Sequence, residues 1–103
     1  MEIRILGKGM EMTKGIKDWI DRKVKKLDKY VPRIVESHVV IKKEKYFYLV
    51  EITVLAKHLR AYGEGRDEDN VYTAIDLACE KLAKQLKKFR EKLKNHLVRE
   101  RLE

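Results

Sequence analysis

From Val71 to at least Asn95 the chain carries an unbroken helical pattern, in which Ile75, Ala78, Cys79, Leu82, Leu86, Phe89 and Leu93 recur at helical spacing. A helix of that length with one apolar stripe must bury the stripe against another element. The polar segment before it supplies the start. Asp69 or Asn70 is a candidate N-cap. Asp67, Glu68 and Asp69 suit the positive end of the helix dipole, and no partners nearby support a metal-ligand reading. Residues 96–103 either extend the helix or fray as a tail.

The surface that receives this stripe is predicted from period-two segments. Ile3 and Ile5 alternate with Glu2 and Arg4 in a short strand over residues 2–9, loosened at its end by Gly7 and Gly9. Val35 to Ile41 is rich in β-branched residues and reads as a second strand. Between Tyr46 and Leu55, Tyr48, Val50, Ile52 and Val54 occupy one face, with Glu51 and Thr53 on the other. Such alternation belongs to a sheet packed on one side only. A further short strand spans roughly Leu59 to Gly65. The connection Ala56-Lys57-His58 holds no Gly or Asn, so its turn type stays open.

A second helix follows Thr13, a candidate N-cap, with Ile16, Ile20, Val24 and Leu27 on one stripe bordered by Trp19 and Tyr30. Pro32 is expected to end it. The order is β-α-β-β-β-α. Two amphipathic helices cover one face of a four-stranded, mostly antiparallel sheet, a two-layer α+β sandwich forming a single domain over residues 1–103.

Charge then narrows the function. Lys and Arg number 25 against 17 acids, a formal net charge of +8. A compact domain this basic favours polyanions such as RNA, DNA or an anionic membrane. The charged fraction of 41% also fits surface ion-pair networks of a thermophilic kind. The N-terminus has no signal pattern, and no apolar run approaches the ~20 residues of a membrane span, so a soluble cytoplasmic protein is expected. The one cysteine, Cys79, excludes an internal disulfide, and its place in the apolar stripe marks it as a buried structural thiol.

The cations fall into stripes. With Lys81 at zero and 100° per residue, Lys84, Lys88 and Lys92 join it within a band of about 80°. Lys87, Arg90 and Lys94 lie on the other flank of the same helix. On the first helix Lys23 and Lys26 flank the apolar stripe, with Lys29 behind them. If the helices pack side by side, these edges can join into one basic surface contacting phosphates without reading bases. Exposed helix positions are also commonly lysine, and Glu80 with Lys84, or Glu91 with Lys87 or Lys94, can pair instead.

Nothing in the pattern indicates an enzyme. His38, His58 and His96 lack metal-ligand spacing, and Ser37 has no nucleophile context. Gly63 and Gly65 lack the wider glycine pattern of a phosphate loop. Tyr46, Phe47 and Tyr48 can stack on bases or alternate between core and surface. No catalytic residue, metal, cofactor or small-molecule substrate is expected.

Several segments carry a resemblance. Ile5-Leu6-Gly7-Lys8-Gly9-Met10-Glu11-Met12-Thr13 leads into a helix with Lys23, Lys26-Leu27 and Tyr30. Ala61-Tyr62-Gly63-Glu64-Gly65 follows later, then Val71-Tyr72-Thr73-Ala74-Ile75-Asp76 and Lys81-Leu82-Ala83-Lys84-Gln85-Leu86-Lys87-Lys88. Over about residues 1–95 the chain resembles the short ribosome hibernation-promoting factors and ribosome-associated translation inhibitors. Asn70-Val71 stands where the family usually has aspartate-methionine, and the middle hairpin is shorter than in familiar members.

The resemblance implies a fold similar to double-stranded-RNA-binding domains. It also implies binding to small-subunit ribosomal RNA in the decoding channel, excluding messenger and transfer RNA as part of a stress response; a monomer on the ribosome is expected, although the sequence itself gives no oligomeric state. Lys23, Lys26, Lys81, Lys84, Lys88 and Lys92 match the family's basic positions; Lys29, Lys87 and Arg90 match less consistently. Long members carry a further ribosome-pairing domain, which this chain is expected to lack. The alternatives are a general duplex-RNA-binding module and a protein-interaction adaptor whose basic face meets an acidic protein.

Overall fold

The computed structural model describes residues 1–31 and 33–102, with side chains as far as Lys92. Pro32 and the side chains of Leu93 and Lys94 lie outside the described residues. The elements run β1 (Glu2–Lys8), α1 (Lys14–Lys25), a 3₁₀ turn (Lys26–Lys29), β2 (Ile34–Lys43), β3 (Tyr48–Ala56), β4 (Leu59–Asp67) and α2 (Val71–Leu102). This is the expected α+β order, with the strands side by side as β1-β2-β3-β4.

β1 and β2 are parallel because α1 carries the chain back between them, whereas β2, β3 and β4 pair antiparallel through hairpins. Register lines up the inward side chains in rows. Ile5, Val39, Ile52 and Gly63 form one row; Gly7, Ile41, Val50 and Gly65 form the next. Val39, Ile41, Val50, Ile52 and Val54 are buried in one core with Ile16, Ile20, Val24 and Leu27 of α1 and its 3₁₀ turn and with Ile75, Ala78, Leu82 and Leu86 of α2. A bulge at Val35 keeps this phase: Ile34 pairs with Ala56 and Glu36 with Leu55, so the extra residue points out at 61% exposure while Ile34 and Ser37 stay inside.

The rows end in glycine because α2 lies directly on β4. A Cβ at Gly63 would stand 2.8 Å from the Ala78 carbonyl oxygen, and one at Gly65 would stand 2.6 Å from the Ala78 nitrogen. Close helix approach, not phosphate binding, therefore accounts for this glycine pair. β4 continues through Arg66 and Asp67, past the expected end at Gly65, because these residues pair with Leu49 and Tyr48 of β3. β3 begins at Tyr48, two residues later than expected.

The caps are local. Thr13 Oγ1 accepts the Ile16 N–H at 3.2 Å and starts α1. Asn70, not Asp69, starts α2: its Oδ1 accepts the N–H groups of Tyr72 at 2.9 Å and Thr73 at 3.4 Å. The Asp67 carboxylate holds the turn before it through the N–H groups of Asp69 and Asn70. α1 keeps α-helical geometry only to Lys25; Leu27, expected on its stripe, is buried from the 3₁₀ turn. The β3–β4 turn is settled by His58, at φ 64°. A positive φ at the second of two loop residues is the sign pattern of a type II turn, and His enters this region more readily than most residues.

Candidate nucleic-acid interface

Charge is segregated between the two sides of the molecule. The four strands carry six basic and five acidic residues, whereas residues 14–29 carry seven against three and residues 71–92 six against three. The outer sheet face neutralises itself. Arg4 meets Glu2 at 3.0 Å and Glu36 at 3.7 Å, and Lys42 meets Glu51 at 2.7 Å. His38 lies 2.9 Å from Glu36, and Tyr62 Oη lies 2.9 Å from carboxylates of both Glu51 and Glu64. The Lys42 ammonium, then the Tyr62 hydroxyl, hold the Glu51 carboxyl below its ordinary value. The His38 hydrogen bond, assisted by Arg4, does the same for Glu36.

The helix layer is neutralised less: Lys25 meets Asp21 at 2.8 Å and Lys23 meets Asp76 at 3.7 Å, and no other ion pair forms there among the described residues. Lys26, Lys29, Lys81, Lys84, Lys87, Lys88, Arg90 and Lys92 are exposed, and Lys23 is half-buried. Among the described residues no ion pair joins Glu80 to Lys84 or Glu91 to Lys87, so those anticipated pairings do not form. The anticipated joining of the two edges is only partial. α1 and its 3₁₀ turn flank the side of α2 that bears Asp76, Cys79 and Ala83, and the cleft between them is lined by Lys23, Lys26 and Lys29. Arg90 belongs to this side; its guanidinium donates to the Lys29 carbonyl at 3.3 Å. Lys81, Lys84, Lys88 and Lys92 share the other flank, on the side where Gln85 donates to the Tyr62 carbonyl of β4 at 2.6 Å. The layer thus presents a cleft-side group, with Lys87 between, and a separate stripe along α2.

Three residues at the seam between α1 and α2 carry more of the geometry than their sequence positions suggest. Trp19 Nε1–H donates to Asp76 Oδ1 at 2.9 Å, and Lys23 Nζ lies 3.7 Å from the same oxygen. The Trp19 ring stands edge-on to Tyr72 at 5.3 Å, with Arg22 at 4.5 Å and Lys23 at 5.0 Å over it. Periodicity places Trp19 merely beside a stripe and assigns Asp76 no role. The available signal is Trp19, Arg22 and Lys23 at i, i+3 and i+4, the spacing at which a cation covers a ring on a helix. Cys79 is buried at 8% exposure, as expected of a structural thiol, and burial pushes its pKa up to about 12.

Other candidate chemistry is not assembled. Ser37 is fully buried, its hydroxyl 3.0 Å from the Met1 sulfur. Among the described residues no three His, Cys, Asp or Glu side chains come together to hold a metal ion. No described helix is long and apolar enough to cross a membrane. At the β2–β3 tip Tyr46 is 72% exposed, and Arg66 stacks over Phe47 at 3.6 Å.

The family model described as sigma 54 modulation protein / S30EA ribosomal protein matches residues 3–94. The chain is 37% identical over 98 residues to the ribosome hibernation promoting factor of Escherichia coli K12, covering 93% of this chain and all of that protein. It is 35% identical over 96 residues to the ribosome hibernation promotion factor of Bacillus subtilis, covering 90% of this chain and 50% of that protein. The crystal structure of the Thermus thermophilus Protein Y N-terminal domain superposes with a TM-score of 0.80 at 30% identity, covering 86% of this chain and 99% of that one.

Proposed function

Because the chain belongs to the sigma 54 modulation protein / S30EA ribosomal protein family, which takes in the ribosome hibernation promoting factors, we propose that it binds small-subunit ribosomal RNA in the decoding channel and keeps messenger and transfer RNA out. The coarser part of this, a ribosome-binding role in hibernation and translation control, follows from membership of the family. A ribosome-associated role supports a cytoplasmic location as part of this reading.

The observation that carries the finer reading is the segregation of charge. Ion pairs neutralise the outer sheet face, while the helix layer keeps its cations available to phosphates. Lys26, Lys29 and Lys87 contact phosphates around the cleft, and Lys81, Lys84, Lys88 and Lys92 contact them along α2. Lys23 and Arg90 contribute while also tying the helices together. Lysines fixed on helices recognise the shape of folded RNA more than its sequence, as a structured channel requires. Occupancy alone performs the function; no bond is made or broken, and a monomer suffices.

Co-sedimentation with purified small subunits tests this, with and without transfer RNA. Saturable binding that transfer RNA displaces is the expected result. Absence of binding, or binding indifferent to transfer RNA, overturns it. Equal affinity for free duplex RNA would assign the protein to general duplex recognition instead.

A further inference from the structure

Asp76 sits on the face proposed for phosphate binding, where an acid should be unfavourable. Its surroundings give it another use. One carboxylate oxygen gathers the Trp19 indole N–H at 2.9 Å and the Lys23 ammonium at 3.7 Å, groups one helical turn apart on α1. The Trp19 ring is braced from α2 by Tyr72 at 5.3 Å. Among the described residues, the other polar link from α1 and its 3₁₀ turn to α2 is the bond from Arg90 to the Lys29 carbonyl. Two ties, one near each end of the seam, therefore set how the basic side of α1 stands relative to α2.

We propose that Asp76 is a positioning residue for RNA binding. By holding Trp19 and Lys23 it fixes α1 against α2, and so fixes the distance between the cations of the cleft and those along α2. The inference rests on the ribosome-binding reading above. It has an unusual sign. Charge counting says that removing an acid from a basic face strengthens phosphate binding. Positioning says that removing this acid weakens it, because Lys23 is released and the seam loosens.

Glu80 supplies the matched control. It lies one turn further along α2 and lines the same cleft. It is exposed, and no ion pair engages it among the described residues. D76N and E80Q each delete one negative charge from that cleft with little change of shape. The experiment measures the affinity of the full chain for purified small subunits over a range of salt concentrations, with thermal melting of each variant alongside.

E80Q is expected to bind at least as tightly as the wild type. D76N is expected to bind about tenfold more weakly, the equivalent of losing one charge-assisted hydrogen bond, with a shallower salt slope because about one fewer phosphate is neutralised. W19F keeps an aromatic ring but removes the donor, and should weaken binding in the same direction with a shifted Tyr72 environment. D76N and E80Q tightening alike, with wild-type binding intact, would overturn the inference and leave the ribosome reading standing. Failure of the wild type to bind subunits would instead overturn the ribosome reading, and this inference with it.

Discussion

At the scale of single residues, the tightest constraint is at Gly65. The atoms facing its missing side chain belong to the α2 backbone, including the Ala78 nitrogen at 2.6 Å, and cannot turn aside as a flexible side chain could. Gly65→Ala should therefore cost about 3 kcal/mol through overpacking, against only ~0.4–1 kcal/mol recovered from the stiffer unfolded chain. Chemical denaturation reads the difference, and a neutral result would mean that α2 is free to ride up off β4. His58 gives the opposite sign. Its φ of 64° costs a side-chain-bearing residue about 1 kcal/mol that glycine would not incur. His58→Gly should raise the stability by no more than roughly 0.5 kcal/mol, since the residue is exposed but glycine's greater unfolded-state entropy offsets at least ~0.4 kcal/mol of the relief. A lower melting temperature for this variant would show that the imidazole makes an unrecognised contact.

At the scale of elements, α2 joins fold to function, since Leu82 and Leu86 are buried while Lys81, Lys84 and Lys88 are exposed. Lys84→Glu with Lys88→Glu should leave the melting temperature nearly unchanged. Subunit binding should weaken by at least about tenfold, with the salt slope reduced by roughly 0.7–0.9 for each phosphate that is no longer neutralised. Unaltered affinity would remove the stripe from the interface. Much of this element was legible in the sequence, because 3.6-residue periodicity reports directly which way a side chain points from its own axis. The Thr13 cap and the alternation of Val50, Ile52 and Val54 were legible for similarly local reasons. A helical wheel does not say which neighbour occupies each flank. That is why the separation of the Lys81–Lys92 stripe from the cleft, and the tie of Lys23 to Asp76, emerge only from packing. The bulge at Val35 and the extension of β4 past Gly65 likewise depend on partners distant in sequence: one restores the inward phase of β2, the other comes from pairing with Tyr48 and Leu49 of β3.

At the scale of the whole molecule, the segregated charges make its two sides respond differently to acid. Glu36 and Glu51, on the outer sheet face, have pKa values below the ordinary carboxylate value of 4.5 because His38 and Lys42 favour their charged forms. A depressed folded-state value means that the unfolded chain binds protons more readily. The stabilisation is complete above the unfolded value and is lost as pH falls through the folded one. Acidification below about pH 4.5 should therefore lower the melting temperature. The same protonation leaves Lys42 without its partner, costs Arg4 one of its two, and raises the net positive charge, so self-repulsion acts in the same direction. Glu51→Gln removes one of these carboxylates and should flatten the decline below about pH 4.5 while lowering stability slightly at neutral pH, since a half-buried surface pair contributes little. Lys42→Gln provides the functional counterpart. It breaks the same pair but lies on the face away from the helices, so the salt slope for subunit binding should match the wild type. A slope reduced as far as that of a Lys88→Gln variant would place the outer sheet face against RNA too and dissolve the division of labour between the two layers.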